Sequence, residues 1–181
     1  MKNVLNRNVP DGFKPFIGSR KTIEATKYQT IDEVLATNKE KKVSSISKVF
    51  DIIPITDGMT LSFHHHLRNG DEVMNMVMQE ILRRDLKNMI LAPSAIFPNN
   101  EIIADLIKNG NVVQIYTNYL NGEVAKTITS GAMQELLIMD THGGRARAIA
   151  TKEIDIDCTF IAAPSADANG NANGIDGKSA C

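Results

Sequence analysis

Three consecutive histidines and a nearby arginine are the first residues in the sequence that suit a chemical role. His64, His65, His66 and Arg68 follow residues 59–63, a largely apolar stretch that predicts a buried strand. In open α/β sheets ligands bind beyond the carboxyl ends of the strands, and a helix that begins there presents free N–H groups to an anion. Imidazole and guanidinium donors suit a carboxylate, a phosphate or a thioester oxygen. We therefore predict an anion or acyl-group site in this loop.

Two other interpretations of the histidines stay open. Successive strand residues face opposite ways, so at most two of the three histidines share a site, and a histidine triplet is also compatible with a plain polar loop. Zinc is less favoured, because consecutive histidines seldom converge on one ion and no cysteine lies near them in sequence. The sequence therefore predicts no metal.

The second candidate is His142-Gly143-Gly144-Arg145, which directly follows a predicted strand. Adjacent glycines let the backbone approach a ligand closely, and an arginine makes forked contacts with carboxylate or phosphate. The alternative is a strand-to-helix turn that needs glycine for its conformation, with the arginines on a solvated surface.

The third candidate is the small-residue segment 166–174, which contains Asn171 and follows the last predicted strand. Small residues are common where a backbone turns tightly near a ligand. They are equally common in any loop, so this segment gains meaning only together with the other two.

The composition excludes several classes of protein. A content of 43% hydrophobic and 23% charged residues is typical of a globular chain, and the 5% aromatic content without Trp argues against stacking on single-stranded nucleic acid. Residues 1–50 carry a net charge of +5, but their basic residues are scattered, which favours a solvated arm or a subunit contact over nucleic acid. No stretch approaches the ~20 apolar residues of a membrane span. Cys158 and Cys181 show no metal or disulfide pattern, and we expect a cytoplasmic protein.

The elements that must position these candidates alternate along the chain. Helices are predicted over residues 30–36, 45–53, 71–86, 101–108, 123–129 and 145–150, and strands over residues 59–64, 89–92, 112–116, 135–139 and 158–162. The clearest helix has an apolar stripe at helical spacing, formed by Val73, Met74, Val77, Met78, Ile81 and Leu82. This alternation predicts an α/β fold, an open and mostly parallel sheet with helices on both faces. Residues 1–50 would form an irregular basic arm, residues 51–181 the α/β domain, and the segment after Pro164 only turns and loops.

Taken together and in this order, these motifs resemble the first half of the coenzyme A transferase superfamily, and most closely the citrate lyase alpha chains. The matching segments are residues 57–60, the histidine-rich loop, residues 142–149, residues 166–167 and residues 170–174. The resemblance implies the coenzyme A transferase-like fold, which sugar-phosphate isomerase and deaminase-like domains share. It also implies that the chain is a truncated first domain whose second domain is absent.

The resemblance implies an acyltransferase subunit that exchanges acetate for citrate on a thioester, giving citryl thioester and acetate. Its thiol would be the dephospho-coenzyme A-like prosthetic group of a carrier protein (the gamma subunit), or coenzyme A itself, and the chain would hold no covalent cofactor. A separate beta subunit would then cleave the citryl thioester. We expect a homo-oligomer within that complex, with no nucleic acid or membrane partner.

The family's nucleophilic glutamate is expected beyond residue 181, so the resemblance assigns no catalytic residue here and implies that the fragment alone is inactive. By position, the residues that bind substrate or an oxyanion would be His64, His65, His66, Arg68, His142, Gly143, Gly144, Arg145 and Asn171. Three rival functions stay open: a sugar-phosphate isomerase-like domain, a non-catalytic metabolite-binding or regulatory domain, and a metal-binding protein.

Overall fold

The computed structural model describes residues 1–3, 6–12, 40–64 and 72–174. The main elements are, in chain order, α1 (Ile46–Ile52), β1 (Thr60–His64), α2 (Glu72–Arg84), β2 (Met89–Pro93), α3 (Ile102–Lys108), β3 (Val112–Thr117), α4 (Gly122–Thr129), β4 (Ile138–Met139), α5 (His142–Ala150), β5 (Cys158–Ile161), β6 (Ser165–Ala166) and β7 (Ala172–Asn173). A short 3₁₀ helix, Pro98–Asn100, precedes α3. The helix predicted over residues 30–36 lies outside the described residues. No helix among those described is both long and apolar enough to cross a bilayer.

Five strands form one parallel sheet in the order β4-β3-β2-β1-β5. The chain therefore builds outward from β1 to the edge strand β4 and then returns to the other side of β1. In the ladders, Leu61 of β1 pairs with Leu91 of β2 and with Cys158 of β5. The strand order consequently reverses at β1, and the predicted parallel α/β fold is confirmed.

Helices cover both faces of this sheet. On one face, α2, α3 and α4 contact one another in succession and bury the large core, whose fully buried members include Leu61, Phe63, Met78, Leu91 and Ile115. The other face holds a small, separate cluster of Ala92, Ala148 and Ile154, in which Ala148 belongs to α5. The site described below lies on this second, thinly packed face.

Helix α2 forms because its apolar residues recur at helical spacing. Met74, Val77, Met78 and Ile81 are fully buried, as the predicted stripe requires. Leu82 is 40% exposed, so its predicted place in the stripe is wrong. Leu82 lies at the edge of the stripe. The four fully buried residues, spaced three and four apart along the helix, already form the face that packs on the sheet.

Two predicted element boundaries and one predicted loop were wrong. Strand β4 has two residues rather than five, because only Ile138 and Met139 pair with the neighbouring β3, while Leu136 is 80% exposed. Helix α5 begins at His142 rather than at Arg145, because the Thr141 hydroxyl accepts a hydrogen bond from the Gly144 N–H at 2.9 Å and caps it earlier. The segment after Pro164 is not all loop, since β6 and β7 pair as a short antiparallel ladder.

Helix α1 is held to α2 by a group of polar and charged residues that we call the α1–α2 clasp: Ser47, Asp51, Glu80, Arg83 and Arg84. Both arginines bond the nearly buried Glu80 carboxylate at 2.5 Å. Arg84 also donates to the Ser47 carbonyl at 3.0 Å and to Asp51 at 2.6 Å. The hydrogen bonds that Glu80 accepts, foremost those from Arg83 and then that from Arg84, lower the pKa of Glu80 to about 2.

Candidate functional site

Because the strand order reverses at β1, the ligand crevice of an open α/β sheet is expected at the carboxyl ends of β1 and β5. His64 ends β1 opposite Ile161 of β5, and the Ala162 N–H donates to the His64 carbonyl at 3.3 Å. The first predicted motif therefore begins at this crevice. His65, His66 and Arg68 lie outside the described residues, and their roles stay predictions.

Arg145 reaches from α5 onto strands β1 and β2 of the sheet. Its Nη2 donates to the Ser62 hydroxyl oxygen at 2.9 Å and to the Ala92 carbonyl at 2.6 Å. Both acceptors are neutral, and burial lowers the pKa of Arg145. None of the ion pairs in the described part of the chain includes Arg145. A partly desolvated guanidinium without a carboxylate partner is energetically unfavourable, and such groups are typical of anion sites.

Arg147, two residues further along the same helix, has a different environment. It forms a two-pronged ion pair with Glu153, in which the Nη2–Oε2 distance is 2.8 Å, and about half of its side chain is exposed. The hydrogen bond that Arg147 donates to Glu153 raises the pKa of Arg147. Of the two arginines in the motif, the solvated-surface interpretation therefore describes Arg147, whereas Arg145 is the candidate for ligand binding.

A cavity of about 180 Å³ lies beside Arg145, between α5 and the edge of the sheet. Its wall includes Tyr116, Thr117 and Asp140. A volume below the ~300 Å³ of typical cofactor pockets suits a small organic acid rather than a whole coenzyme A molecule. Glu153 also lines the cavity, but Arg147 neutralises it. Among the described lining residues, Arg145 is the one cation.

The Gly143-Gly144 pair does not form an exposed turn around a ligand, because both residues lie in the first turn of α5. A Cβ atom at Gly144 would lie 1.9 Å from Oδ1 of Asp140, and the same oxygen accepts the Thr141 N–H at 2.7 Å. Gly143 has nothing within 4 Å of the equivalent position. Gly144 is therefore needed to let the Asp140 carboxylate lie against the start of the helix.

We expect Gly144→Ala to destabilise the fold by about 1 kcal/mol, because Asp140 must rotate away and lose its hydrogen bond. Gly143→Ala is the matched control and should stabilise by up to about 1 kcal/mol, since alanine is the better helix former. Chemical denaturation of both variants measures the difference. Equal stability of the two would contradict this role for Gly144.

His142 and Asn171 both lie in the described part of the chain, but they do not form one site. His142 is exposed at the first helical position of α5, three residues before Arg145. The Asn171 side chain donates to Asp167 at 2.9 Å and, together with its own N–H, holds the turn between β6 and β7. This bond is the main reason that the pKa of Asp167 is lowered. The contacts of Asn171 therefore organise a turn, and its contact with substrate stays a prediction.

Sequence reasoning missed Ser62 and Ala92, the two residues that hold Arg145. A parallel strand covered on both faces is ordinarily apolar throughout, yet β1 has the buried polar residues Thr60 and Ser62 on one face. The alternation of polar and apolar residues over 60–64 therefore indicates that a polar group packs against that face of β1.

Comparison with known proteins identifies the family behind this arrangement. Residues 39–181 match the family model described as citrate lyase, alpha subunit. The chain belongs to the citrate lyase alpha subunit family.

Curated members of the family agree with this assignment. The chain is 39% identical to the citrate lyase alpha chain of Haemophilus influenzae over 85% of its own length and 32% of that protein. For the citrate lyase alpha chain of Klebsiella pneumoniae the identity is 33%, over 96% of this chain and 33% of that one. The chain thus spans about a third of the length of these relatives.

A solved structure shares the fold. It is a crystal structure of a Streptococcus mutans protein described as the alpha subunit of citrate lyase, in complex with citrate. It is 40% identical to this chain and superposes with a TM-score of 0.77, over 99% of this chain and 36% of that one. The fold predicted for a citrate lyase alpha subunit is therefore confirmed.

Proposed function

We propose that this chain forms the citrate-binding part of an acyltransferase that exchanges acetate for citrate on a thioester. In the overall reaction, acetyl thioester and citrate give citryl thioester and acetate, so one acyl–sulfur bond breaks and another forms. The observation that carries the proposal is Arg145, a partly buried guanidinium with only neutral partners beside a small cavity.

Arg145 would bind one carboxylate of citrate. The two bonds from Nη2 to Ser62 and Ala92 fix the guanidinium, and the N–H groups on Nε and Nη1 remain for the ligand. A charge-assisted hydrogen bond is strong in such a partly desolvated place.

The crevice at β1 and β5 would receive the thioester. His64 at the end of β1 begins the loop whose donors we propose to stabilise the developing oxyanion. As the family resemblance implies, a glutamate outside this chain would attack the acetyl thioester and form a mixed anhydride, which is covalent catalysis. The residues described here would then bind and orient citrate rather than react.

The thiol substrate would be the prosthetic group of a carrier-protein partner, or coenzyme A. The cavity of about 180 Å³ has room for the acid but not for the nucleotide end of coenzyme A, which would lie outside it. A second partner subunit would cleave the citryl thioester. These partners are part of the same proposal.

A transfer assay tests the proposed function. The gene is read past codon 181, the longest open reading frame is expressed, and the product is mixed with acetyl-coenzyme A and citrate. We expect citryl-coenzyme A and acetate in equal amounts from the long form and none from residues 1–181 alone. A long form that makes no citryl thioester, or turnover by residues 1–181, would contradict the proposal.

A further inference from the structure

Strand β1 has two chemically different faces. Leu61 and Phe63 point into the large core, whereas Thr60 and Ser62 alternate with them and are 8% and 4% exposed. A buried hydroxyl is costly unless it is hydrogen-bonded. The polar face of β1 therefore requires a partner on the α5 side of the sheet.

For Ser62 that partner is Arg145. The Ser62 hydroxyl oxygen accepts a hydrogen bond from Nη2 at 2.9 Å, and the same nitrogen donates to the Ala92 carbonyl of the neighbouring strand at 2.6 Å. The two acceptors lie side by side, because Ser62 and Ala92 are paired in the β1–β2 ladder. A short side chain at each position leaves room for the guanidinium above the sheet.

We propose that Ser62 is a positioning residue that fixes the guanidinium of Arg145 for binding a substrate carboxylate. This inference rests on the proposed function and deepens it. An arginine side chain has several rotatable bonds, and ordering it on binding lowers affinity by roughly two- to tenfold. Two acceptors of fixed geometry on adjacent strands order it beforehand. Ser62 would thus raise affinity for the acid without touching it.

The Ala92 carbonyl alone cannot do this. A single acceptor lets the guanidinium pivot about one hydrogen bond, whereas two acceptors on separate strands define its plane. Ser62 accepts through its side chain, whereas Ala92 accepts through its backbone carbonyl. A substitution at residue 62 therefore removes one hydrogen bond and leaves the bond to Ala92 intact.

The test compares Ser62→Ala with Ser62→Thr, which retains the hydroxyl, and measures citrate affinity by calorimetry on the whole chain. We expect Ser62→Ala to weaken citrate binding up to about tenfold, because the Arg145 guanidinium must then be ordered as the acid binds. Ser62→Thr should stay within about threefold of the parent chain. Ser94→Ala is the matched control, because Ser94 is also buried, directly after β2, and the described hydrogen bonds of Arg145 go to Ser62 and Ala92 instead.

A second readout separates positioning from stability. In nitrogen-15 spectra of arginine-labelled chain, the Nη signals of Arg145, assigned with Arg145→Met, report how fast the guanidinium rotates. Ser62→Ala should accelerate that rotation, whereas Ser94→Ala should not. Unchanged rotation, or faster rotation with citrate affinity unchanged, would overturn the proposal. Faster rotation in a chain that binds no citrate at all would instead contradict the proposed ligand and leave the positioning of Arg145 by Ser62 supported.

Discussion

Replacement of Arg145 with methionine is expected to weaken citrate binding at least about thirtyfold and to change the unfolding temperature only slightly. Loss of one partner from a hydrogen-bonded charge pair costs about 2–5 kcal/mol of binding. In the free protein, by contrast, Arg145 is a partly desolvated charge that only neutral oxygens contact. A methionine of comparable length removes that desolvation penalty but leaves the buried Ser62 hydroxyl without its hydrogen-bond partner, so the two effects on stability oppose each other.

Calorimetric titration with citrate and thermal unfolding of the same samples measure both effects. Lys108→Met is the matched control, because it makes the same change in charge at an exposed residue on the opposite face of the sheet. It should leave citrate affinity within about twofold. If Arg145→Met binds citrate as tightly as the parent chain, Arg145 is not the carboxylate site.

Glu80→Gln is expected to lower the free energy of unfolding at pH 7 by about 2 kcal/mol, the largest stability change among these substitutions. The Glu80 carboxylate holds both Arg83 and Arg84, and through Arg84 it links α2 to α1. The glutamine amide keeps one acceptor oxygen but loses the carboxylate charge and the second acceptor oxygen, so the ion pairs with Arg83 and Arg84 are lost. Helix α1 should therefore detach more readily from the domain.

The effect should depend on pH in a defined direction. The pKa of Glu80 falls from 4.5 to about 2 on folding, so the folded state favours the charged carboxylate. Its contribution is fully present above pH 4.5 and is lost as pH falls toward 2. Denaturation of parent and variant across that window should show the stability difference shrinking. A difference that stays constant would contradict the assigned role of the α1–α2 clasp.

Glu123→Gln serves as the control for this series. Glu123 pairs with Lys126 at 3.3 Å on the exposed surface of α4, one turn apart on the helix. Surface pairs of this kind contribute at most about 0.5 kcal/mol. The variant should therefore unfold almost as the parent chain does at every pH in the window.

The alternation of elements could be predicted from the sequence because its signals are local. The stripe of α2 and the short apolar strands are visible within a few residues, and they predict a parallel sheet with covered faces. Strand β4 was overestimated, because its length depends on pairing with a distant strand at the sheet edge rather than on its own residues. The predicted start of α5 lies three residues too late. Gly143 and Gly144 are poor helix formers, yet the cap from Thr141 lets the helix begin before them.

The candidate site was only partly predictable for the same physical reason. Arg145 was visible as a residue type beside glycines, but its lack of an ion-pair partner depends on contacts with Ser62 and Ala92, which are 83 and 53 residues away in sequence. Asn171 was predicted from small-residue composition, and its structure shows that composition alone does not separate a turn from a binding loop.

A crystal structure of the chain grown with citrate would test the central claim most directly. We expect one citrate carboxylate within about 3 Å of the Arg145 guanidinium, in the cavity between α5 and the sheet, with the bonds to Ser62 and Ala92 retained. Citrate bound elsewhere on the chain, with Arg145 contacting only Ser62 and Ala92, would contradict the assignment of this cavity as the citrate site.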